Sequence, residues 1–270
     1  MKLFAAILAI ALLLPGVRAA GQVLLPVTPN WISTDGDFST GAALVDINQD
    51  GWLDLVVANG NDIERQHVVV YYNKRDGTFP TVPDWQSGDI DYHGHIAVGD
   101  VNGDGLPDVA VSVYIGAGGF NERGYVKLYM NQHGTLESIP SWRSGDSLYT
   151  FSCAFGDANG DGAPDLAVAS GEAYNHHAEQ DRIYLNGGGR LDSLPSWKSH
   201  QPAYSYDVGW GDFDNDGRLD LVFANEHGPN VMYKNYGDSI GTVPYWQSAD
   251  PSQYANSLAL GDLNNDGYLD

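Results

Sequence analysis

Five nine-residue segments of this sequence carry oxygen-bearing side chains at alternating positions. They span residues 46–54, 100–108, 157–165, 212–220 and 262–270. A hard cation such as Ca²⁺ takes about six to eight oxygen ligands at about 2.3–2.6 Å, and a short loop supplies them when alternate residues turn inward. The spacing therefore predicts five metal-binding loops, numbered one to five here in chain order.

The candidate ligands occupy positions 1, 3, 5, 7 and 9 of each loop. Position 1 is always an aspartate: Asp46, Asp100, Asp157, Asp212 and Asp262. Position 3 is an amide or a carboxylate: Asn48, Asn102, Asn159, Asp214 and Asn264. Positions 5 and 9 are aspartates: Asp50, Asp104, Asp161, Asp216 and Asp266, then Asp54, Asp108, Asp165, Asp220 and Asp270. Position 7 has no common chemistry, as expected where the backbone carbonyl is the ligand: Trp52, Leu106, Ala163, Arg218 and Tyr268.

Electrostatics and backbone geometry favour a cation in these loops. Position 6 is always glycine, which suits a sharp reversal that a Cβ would penalise. Carboxylates about 5 Å apart repel each other by about 3 kcal/mol per pair at an effective dielectric near 20, and a cation offsets that repulsion. Simple Asp/Asn/Gly turns between strands are the alternative, but the recurrence in five copies favours metal loops. Mg²⁺ demands stricter octahedral geometry, and Zn²⁺ prefers the His and Cys ligands that these loops lack, so Ca²⁺ is expected.

The residues after each loop predict strands. A helix-loop-helix calcium site needs Glu at position 12, whereas the first four loops have Val57, Val111, Val168 and Phe223 there. Each of these loops runs instead into an apolar segment typical of a buried strand: LVVA, VAVS, LAVA or LVFA.

A D-x-[DN]-x-D-G-x-x-D loop between strands, preceded by an apolar-Gly pair such as Val98-Gly99, resembles the FG-GAP/VCBS repeat family. The integrin α-subunit propeller is the best-known relative of that family. The resemblance covers nearly all of the chain after residue 21. It implies an all-β propeller of four-stranded blades, with Ca²⁺ in the hairpin between the first two strands of each blade: about one ion per loop, up to five.

The repeat length agrees with such blades. Loop starts are separated by 54, 57, 55 and 50 residues, a period that suits four strands. Each unit reads as strand, metal loop, strand, variable loop, a strand ending in Asn, a Gly-containing turn and a Pro-Trp segment. We therefore predict an orphan outer strand at 22–33, four full blades and the start of a fifth. Residues 21–270 are expected to be a C-terminally incomplete part of a seven-bladed ring.

Two series of aromatic residues recur with the loops. One lies fifteen or sixteen residues before each loop: Trp31, Trp85, Trp142, Trp197 and Trp246. The other lies eight residues before: Phe38, Tyr92, Tyr149, Tyr204 and Tyr254. Large aromatic residues at one repeated position are expected to fill the space between adjacent blades. A sugar-stacking platform is the functional alternative.

The first twenty residues read as a secretion signal rather than as part of the fold. Lys2 precedes an apolar run from Leu3 to Leu14, and Pro15 and Gly16 end that run before the small residues of a cleavage site. About twelve apolar residues fall short of the roughly twenty that span a bilayer. We expect a protein that is secreted or at the cell surface, without a membrane span.

Charge and cysteine content suit an extracellular setting. The formal net charge is −22, and 16 of the 35 acidic residues lie in the five loops. Such a surplus argues against nucleic acid as a partner, because proteins that bind it are typically basic. Cys153 is the single cysteine, so no internal disulfide forms and stability must come from packing and metal.

Function is expected to lie in the loops of variable length between the second and third strands, since such loops on a rigid scaffold often carry specificity. The favoured hypothesis is a non-catalytic module that binds an extracellular protein or glycan, or belongs to a longer protein with further domains. The alternative is a polysaccharide lyase or hydrolase built on the same propeller. Candidates for its acid–base or metal chemistry are His93, His95, His176 and His177, near Glu172. Tyr206 and Asp207 also lie in segments entering the first strands, on the same face as these loops.

Overall fold

The computed structural model describes residues 28–250 and 254–270. The predicted signal peptide lies outside this range, as do residues 22–27 of the predicted orphan strand. The chain divides into two units at Ile32 and Ser33. In the first unit, the described residues 28–32 contain only bends and irregular backbone. All further structure belongs to the second unit, Ser33–Asp270.

The second unit contains four antiparallel sheets, each with four strands in chain order. Blade one is β1 (Ser39–Val45), β2 (Asp54–Gly60), β3 (Arg65–Tyr71) and β4 (Trp85–Gln86). Blade two is β5 (Tyr92–Gly99), β6 (Asp108–Gly116), β7 (Gly119–Tyr129) and β8 (Trp142–Arg143). Blade three is β9 (Thr150–Gly156), β10 (Asp165–Ser170), β11 (Arg182–Tyr184) and β12 (Trp197–Lys198). Blade four is β13 (Ser205–Gly211), β14 (Asp220–Asn225), β15 (Val231–Tyr233) and β16 (Trp246–Gln247).

This arrangement confirms the predicted all-β, partial β-propeller fold. Residues 254–270 follow blade four and include loop five. The two ends of that loop, Gly261 and Asp270, exchange backbone hydrogen bonds of 2.9 and 3.4 Å. Gly211 and Asp220 are paired in the same way at the start of blade four. Loop five therefore begins a further blade, as its sequence indicates.

Strand register puts the metal loops and the variable loops at opposite ends of each blade. In blade one, Val45 pairs with Asp54 across the metal loop, whereas Gly60 pairs with Arg65 at the far end of the sheet. The first strands of successive blades lie side by side, since the Thr40 hydroxyl donates to the carbonyl of Gly94 at 3.0 Å. We call the two ends the metal face and the variable-loop face.

Tryptophans of the outer strands pack between blades. Each ring meets, edge to face, a tyrosine on the third strand of the next blade. The ring centroids lie 6.1, 5.7 and 5.2 Å apart in three pairs: Trp85 with Tyr129, Trp142 with Tyr184, and Trp197 with Tyr233. These contacts confirm the predicted interblade role of three of the five tryptophans.

The second aromatic series does not share one environment. Tyr149 is buried and stacks on His177, with ring centroids 4.8 Å apart. Phe38 and Tyr254 are exposed. The prediction that this series fills the interblade space is therefore wrong at its two ends, because these residues lie on the variable-loop face and not between sheets.

A serine two residues after each tryptophan fixes the short outer strand. The Ser144 hydroxyl accepts from the Val126 amide at 3.3 Å and donates to the carbonyl of Asp146 at 3.0 Å. Ser87 and Ser199 make equivalent pairs of hydrogen bonds. A two-residue strand makes few backbone hydrogen bonds to its neighbour, so these side-chain hydrogen bonds add to those that hold the outer strand against the third strand.

Blade three carries a buried carboxyl group at Asp181. Its Oδ1 accepts from the Ser170 amide at 3.0 Å, whereas its Oδ2 has no hydrogen-bond partner among the described residues. Burial raises the pKa of Asp181 to about 7. The matching positions of the other blades carry no acid: Val68, Val126 and Asn230.

We expect Asp181→Asn to stabilise the protein increasingly as pH rises from 4 to 7. In that interval the unfolded wild-type chain ionises Asp181 while the folded chain keeps it protonated, so wild-type stability falls by up to about 1 kcal/mol per pH unit. Urea unfolding of both proteins at constant Ca²⁺ measures the difference. A difference that is independent of pH would contradict the shifted pKa.

Candidate metal centres

Each metal loop is folded by its own acidic side chains. In loop one, the Asp46 carboxylate accepts from the amides of Asp50 at 3.0 Å and Gly51 at 2.8 Å. The Asn48 side-chain oxygen also accepts from the Asp50 amide at 3.0 Å. The hydrogen bond that the position 6 glycine amide donates to the position 1 carboxylate is 2.8 Å long in all five loops. The oxygens at positions 1, 3 and 5 are thereby held on a tight turn.

Position 4 has a left-handed backbone, and in loops one and four its side chain links the loop to a neighbouring one. Gln49 and Asn215 have φ near 56° there. The Gln49 amide donates to the carbonyl of Gly105 in loop two at 2.7 Å, and the Asn215 amide donates to that of Gly267 in loop five at 3.0 Å. The metal face is thus a connected row of loops.

The position 9 aspartates of loops one to four are buried behind the loops, whereas Asp270 of loop five is exposed. In loop two, Asp108 accepts from the amides of Val101 at 2.9 Å and Asn131 at 2.8 Å. Burial raises the pKa of this carboxyl group and of its three counterparts: Asp54, Asp165 and Asp220. A carboxylate buried at the base of a loop is electrostatically favourable when a cation lies beside it.

The asparagine that follows each third strand joins successive metal loops. The Asn131 side chain donates to the carbonyl of Ile47 in loop one at 2.8 Å and to that of Pro107 in loop two at 3.2 Å. Asn186 and Asn235 repeat these bonds in blades three and four. The sequence signal was the recurring Asn, but its role between loops was not predicted.

Loop four has the most acidic donor set. Carboxylate oxygens of Asp212, Asp214 and Asp216 all lie within 4.8 Å of one another. Behind them, Asp220 is fully buried and its Oδ2 has no hydrogen-bond partner among the described residues. Converging carboxylates beside an unpartnered buried oxygen fit a hard cation such as Ca²⁺.

Basic side chains reach into two of the loops. Lys234 contacts the carboxylates of Asp214 and Asp216, the latter at 3.0 Å, and Arg218 contacts Asp216. The hydrogen bonds that the Lys234 ammonium donates to Asp214 and Asp216 raise the pKa of Lys234. In loop one, Arg75 donates to Asp50 at 3.0 Å, which lowers the pKa of that aspartate.

The histidines proposed for acid–base chemistry have structural partners. His93 is buried, its Nδ1 faces the carbonyl of Asn59, and burial lowers its pKa to about 3. His177 stacks on Tyr149, while His176 is exposed. Glu172 is fully buried and accepts from Asn175 of its own loop.

His95 on β5 and Asp207 on β13 belong to the first strands of blades two and four, and their Nδ1 and Oδ1 atoms lie 3.6 Å apart. Asp207 also accepts from the hydroxyls of Ser152 at 2.6 Å and Ser257 at 3.1 Å. Burial alone would raise the pKa of Asp207, but hydrogen bonds from His95 and Ser152 hold it below its ordinary value. This carboxylate therefore ties adjacent strands together.

The start of β7 in blade two and the variable loop of blade three meet in one aromatic surface. The rings of Phe120 and Tyr174 lie 6.1 Å apart, edge to face. Arg123 donates to Glu179 at 2.6 Å, and the Tyr149 hydroxyl donates to the carbonyl of Phe120 at 2.9 Å. Tyr174 is 70% exposed, so this surface is open to a partner.

Comparison of the sequence with protein-family models identifies the repeat. The FG-GAP-like repeat matches residues 46–111, 113–168, 169–223 and 212–270, and the FG-GAP repeat matches residues 94–129. The chain belongs to the FG-GAP-like repeat family. This confirms the resemblance carried by the loop pattern.

Curated relatives of this FG-GAP-like chain include two kinds of protein. Cartilage acidic protein 1 of Xenopus tropicalis is 24% identical over 95% of the chain and 42% of its own length. Integrin alpha-6 of Gallus gallus is 29% identical over 49% of the chain and 13% of its own length. The chain therefore spans less than half the length of these relatives.

Among solved structures, a rhamnogalacturonan lyase of Bacillus licheniformis aligns with a TM-score of 0.45 and 15% identity, covering 80% of the FG-GAP-like chain and 51% of the lyase.

Within residues 28–250 and 254–270, no helix is long and apolar enough to cross a membrane.

Proposed function

We propose that this protein is a secreted, calcium-binding FG-GAP-like propeller that binds an extracellular protein or glycan without transforming it. In this proposal the Ca²⁺ ions lie in the metal loops and serve stability. The partner binds at the opposite end of the blades, on the variable-loop face. Secretion is supported by the predicted signal peptide at 1–20 and by the similarity to cartilage acidic protein 1 and to integrin alpha chains.

The donor chemistry supports calcium in all five loops. Each loop offers carboxylate or amide oxygens at positions 1, 3, 5 and 9, with the position 7 carbonyl as a further candidate. Its first and third side chains are held by amides of the same turn, so little reorganisation is needed when an ion binds. When bound, Ca²⁺ would neutralise carboxylates that otherwise repel each other.

The observation that carries the binding role is the aromatic surface formed by the start of β7 in blade two and the variable loop of blade three. Phe120 supports the exposed ring of Tyr174, and the Arg123–Glu179 ion pair fixes that loop to β7. A rigid, exposed aromatic ring beside polar groups provides a large contact area at a low cost in side-chain entropy. Such surfaces suit protein and glycan partners alike.

Catalysis is the weaker candidate, because most of the groups that could perform it are already engaged, and among them only His176 is exposed. Both carboxylate oxygens of Asp207 accept hydrogen bonds, from Ser152 and from Leu258, and His93 is buried with its Nδ1 facing a backbone carbonyl. Acid–base chemistry requires such groups to reach a substrate proton. We therefore place binding before the lyase or hydrolase alternative.

The binding proposal is tested on arrays of extracellular matrix proteins and glycans probed with the labelled chain. Tyr174→Ala is expected to lower the affinity for any captured partner by about tenfold or more, as truncation of an aromatic hot-spot residue does. Tyr236 is the matched control, since it is 59% exposed but lies beside Asn235 at the metal face. Equal loss with Tyr236→Ala, or no loss with Tyr174→Ala, would contradict the assigned face. Turnover of an arrayed polysaccharide would favour the enzymatic alternative.

A further inference from the structure

We infer that the metal loops differ in calcium affinity, and that Lys234 and Arg218 make loop four a weak site by competing with the ion. Loops two and three lack such competitors and fill first. This inference rests on the proposed calcium binding and adds an order of filling to it.

Lys234 acts as a tethered cation in loop four. Its ammonium contacts the carboxylates of both Asp214 and Asp216, which are two of the three converging ligands. An ion bound by those oxygens must displace the ammonium, because two cations cannot share the same carboxylates without strong repulsion. Calcium binding at loop four is therefore an exchange of one cation for another.

Arg218 adds a second competitor from position 7 of the same loop. Its guanidinium contacts Asp216, and its Nε donates to the carbonyl of Asn235 at 3.1 Å. That second bond holds the guanidinium beside the loop. The other loops carry no basic residue at position 7: Trp52, Leu106, Ala163 and Tyr268.

Lys234 is specific to blade four. It is the residue before the recurring asparagine, and the other blades have Tyr72, Met130 and Leu185 at that position. In loops two and three, the position 5 carboxylates accept instead from a neutral amide: Asn102 to Asp104 at 2.9 Å, and Asn159 to Asp161 at 3.0 Å. A neutral donor is exchanged for an ion more easily than a charged one.

Loop four nevertheless retains a site for the ion. The carboxylates of Asp212, Asp214 and Asp216 converge, and the Oδ2 of Asp220 behind them is buried without a hydrogen-bond partner among the described residues. Two basic groups against four aspartates leave this loop less negative than loops two and three, which have three aspartates and no basic group. Because affinity follows ligand charge, loop four should bind Ca²⁺ more weakly.

Loop one is intermediate in this order. Its single competitor, Arg75, makes one hydrogen bond to Asp50 and is 69% exposed. An exposed guanidinium moves into water readily, so its effect on the ion should be small.

Calorimetric titration of the chelator-stripped chain with CaCl₂ tests the inference. Wild type should show tighter and weaker classes of site. Lys234→Met should tighten one weak site by about tenfold, as expected from removing a competing charge. Leu185→Lys, the reciprocal variant, should weaken one tight site by a similar factor in loop three. Near-UV circular dichroism in saturating CaCl₂ confirms that each variant is folded.

The outcomes separate the two levels of the proposal. A wild-type chain that takes up no Ca²⁺ would overturn the proposed calcium binding itself. Uptake with one common affinity, unchanged by Lys234→Met, would overturn only the order of filling. If one variant does not fold, the other still decides, because each moves a single site in the opposite direction.

Discussion

Removing calcium with EDTA is expected to lower the melting temperature by at least about 10 °C, and excess CaCl₂ is expected to restore it. A ligand at 100 times its Kd stabilises the folded state by about 2.7 kcal/mol per site, and five loops are available. Without the ion, loop four keeps three converging carboxylates, and the buried position 9 aspartates of loops one to four lack the calcium ion beside them. Circular dichroism melting with and without EDTA measures the effect.

A loop-specific variant links this stabilisation to the proposed ligands. Asp157→Asn removes a position 1 carboxylate from loop three, so its calcium-dependent gain in melting temperature should be smaller than that of wild type. Asp238→Asn changes an exposed aspartate outside the loops and should leave the gain unchanged. Equal melting temperatures of wild type with EDTA and with calcium would contradict the metal assignment.

The repeated parts of the fold could be predicted because they follow local rules. The Gly turn and the alternating acids define each loop, and the apolar segment after it becomes the second strand, as β6 shows. The third strand was predicted to end at the recurring Asn, but it ends two residues earlier, at Tyr129 in blade two. The reason is that the Asn131 amide bonds to Asp108 instead of a strand partner.

Positions 2 and 8 of the loops are apolar residues or prolines, which predicts that they anchor each loop inward, and the structure confirms this only in part. Position 2 is buried in loops one to three, for example at Ile47, but Leu53 at position 8 of loop one is exposed. The alternation of polar and apolar residues along a loop indicates which side chains lie on the same side of it. It does not indicate whether a neighbouring blade covers that side.

Contacts specific to one blade could not be predicted from the repeat. Lys234 competes for loop four from the residue just after β15, 20 residues beyond Asp214, and nothing in the loop pattern indicates its position. Comparison of units reveals what they share, whereas Lys234 and Asp181 are departures from the shared pattern. Their roles depend on partners that only the packed sheets bring together.

The buried ion pair between blades one and two is another such departure. Lys127 on β7 is fully buried, and its Nζ donates to Asp89 at 2.7 Å and to Asp91 at 2.9 Å. Tyr129 donates to the same Asp89 at 2.7 Å. Burial raises the pKa of Asp89, but the Lys127 charge outweighs this and holds it below its ordinary value. The corresponding residue is Val69 in blade one.

Lys127→Ala is expected to destabilise the protein by about 3–5 kcal/mol, because it leaves the partly buried carboxylate of Asp89 without its cation and leaves Asp91 with Arg65 alone, at 3.3 Å. Urea unfolding in saturating calcium isolates this effect from the metal loops. Lys198→Ala, at an exposed position of β12, is the matched control and should change stability by less than about 0.5 kcal/mol. If Lys127→Ala behaved like this control, the buried pair would not be what joins blades one and two.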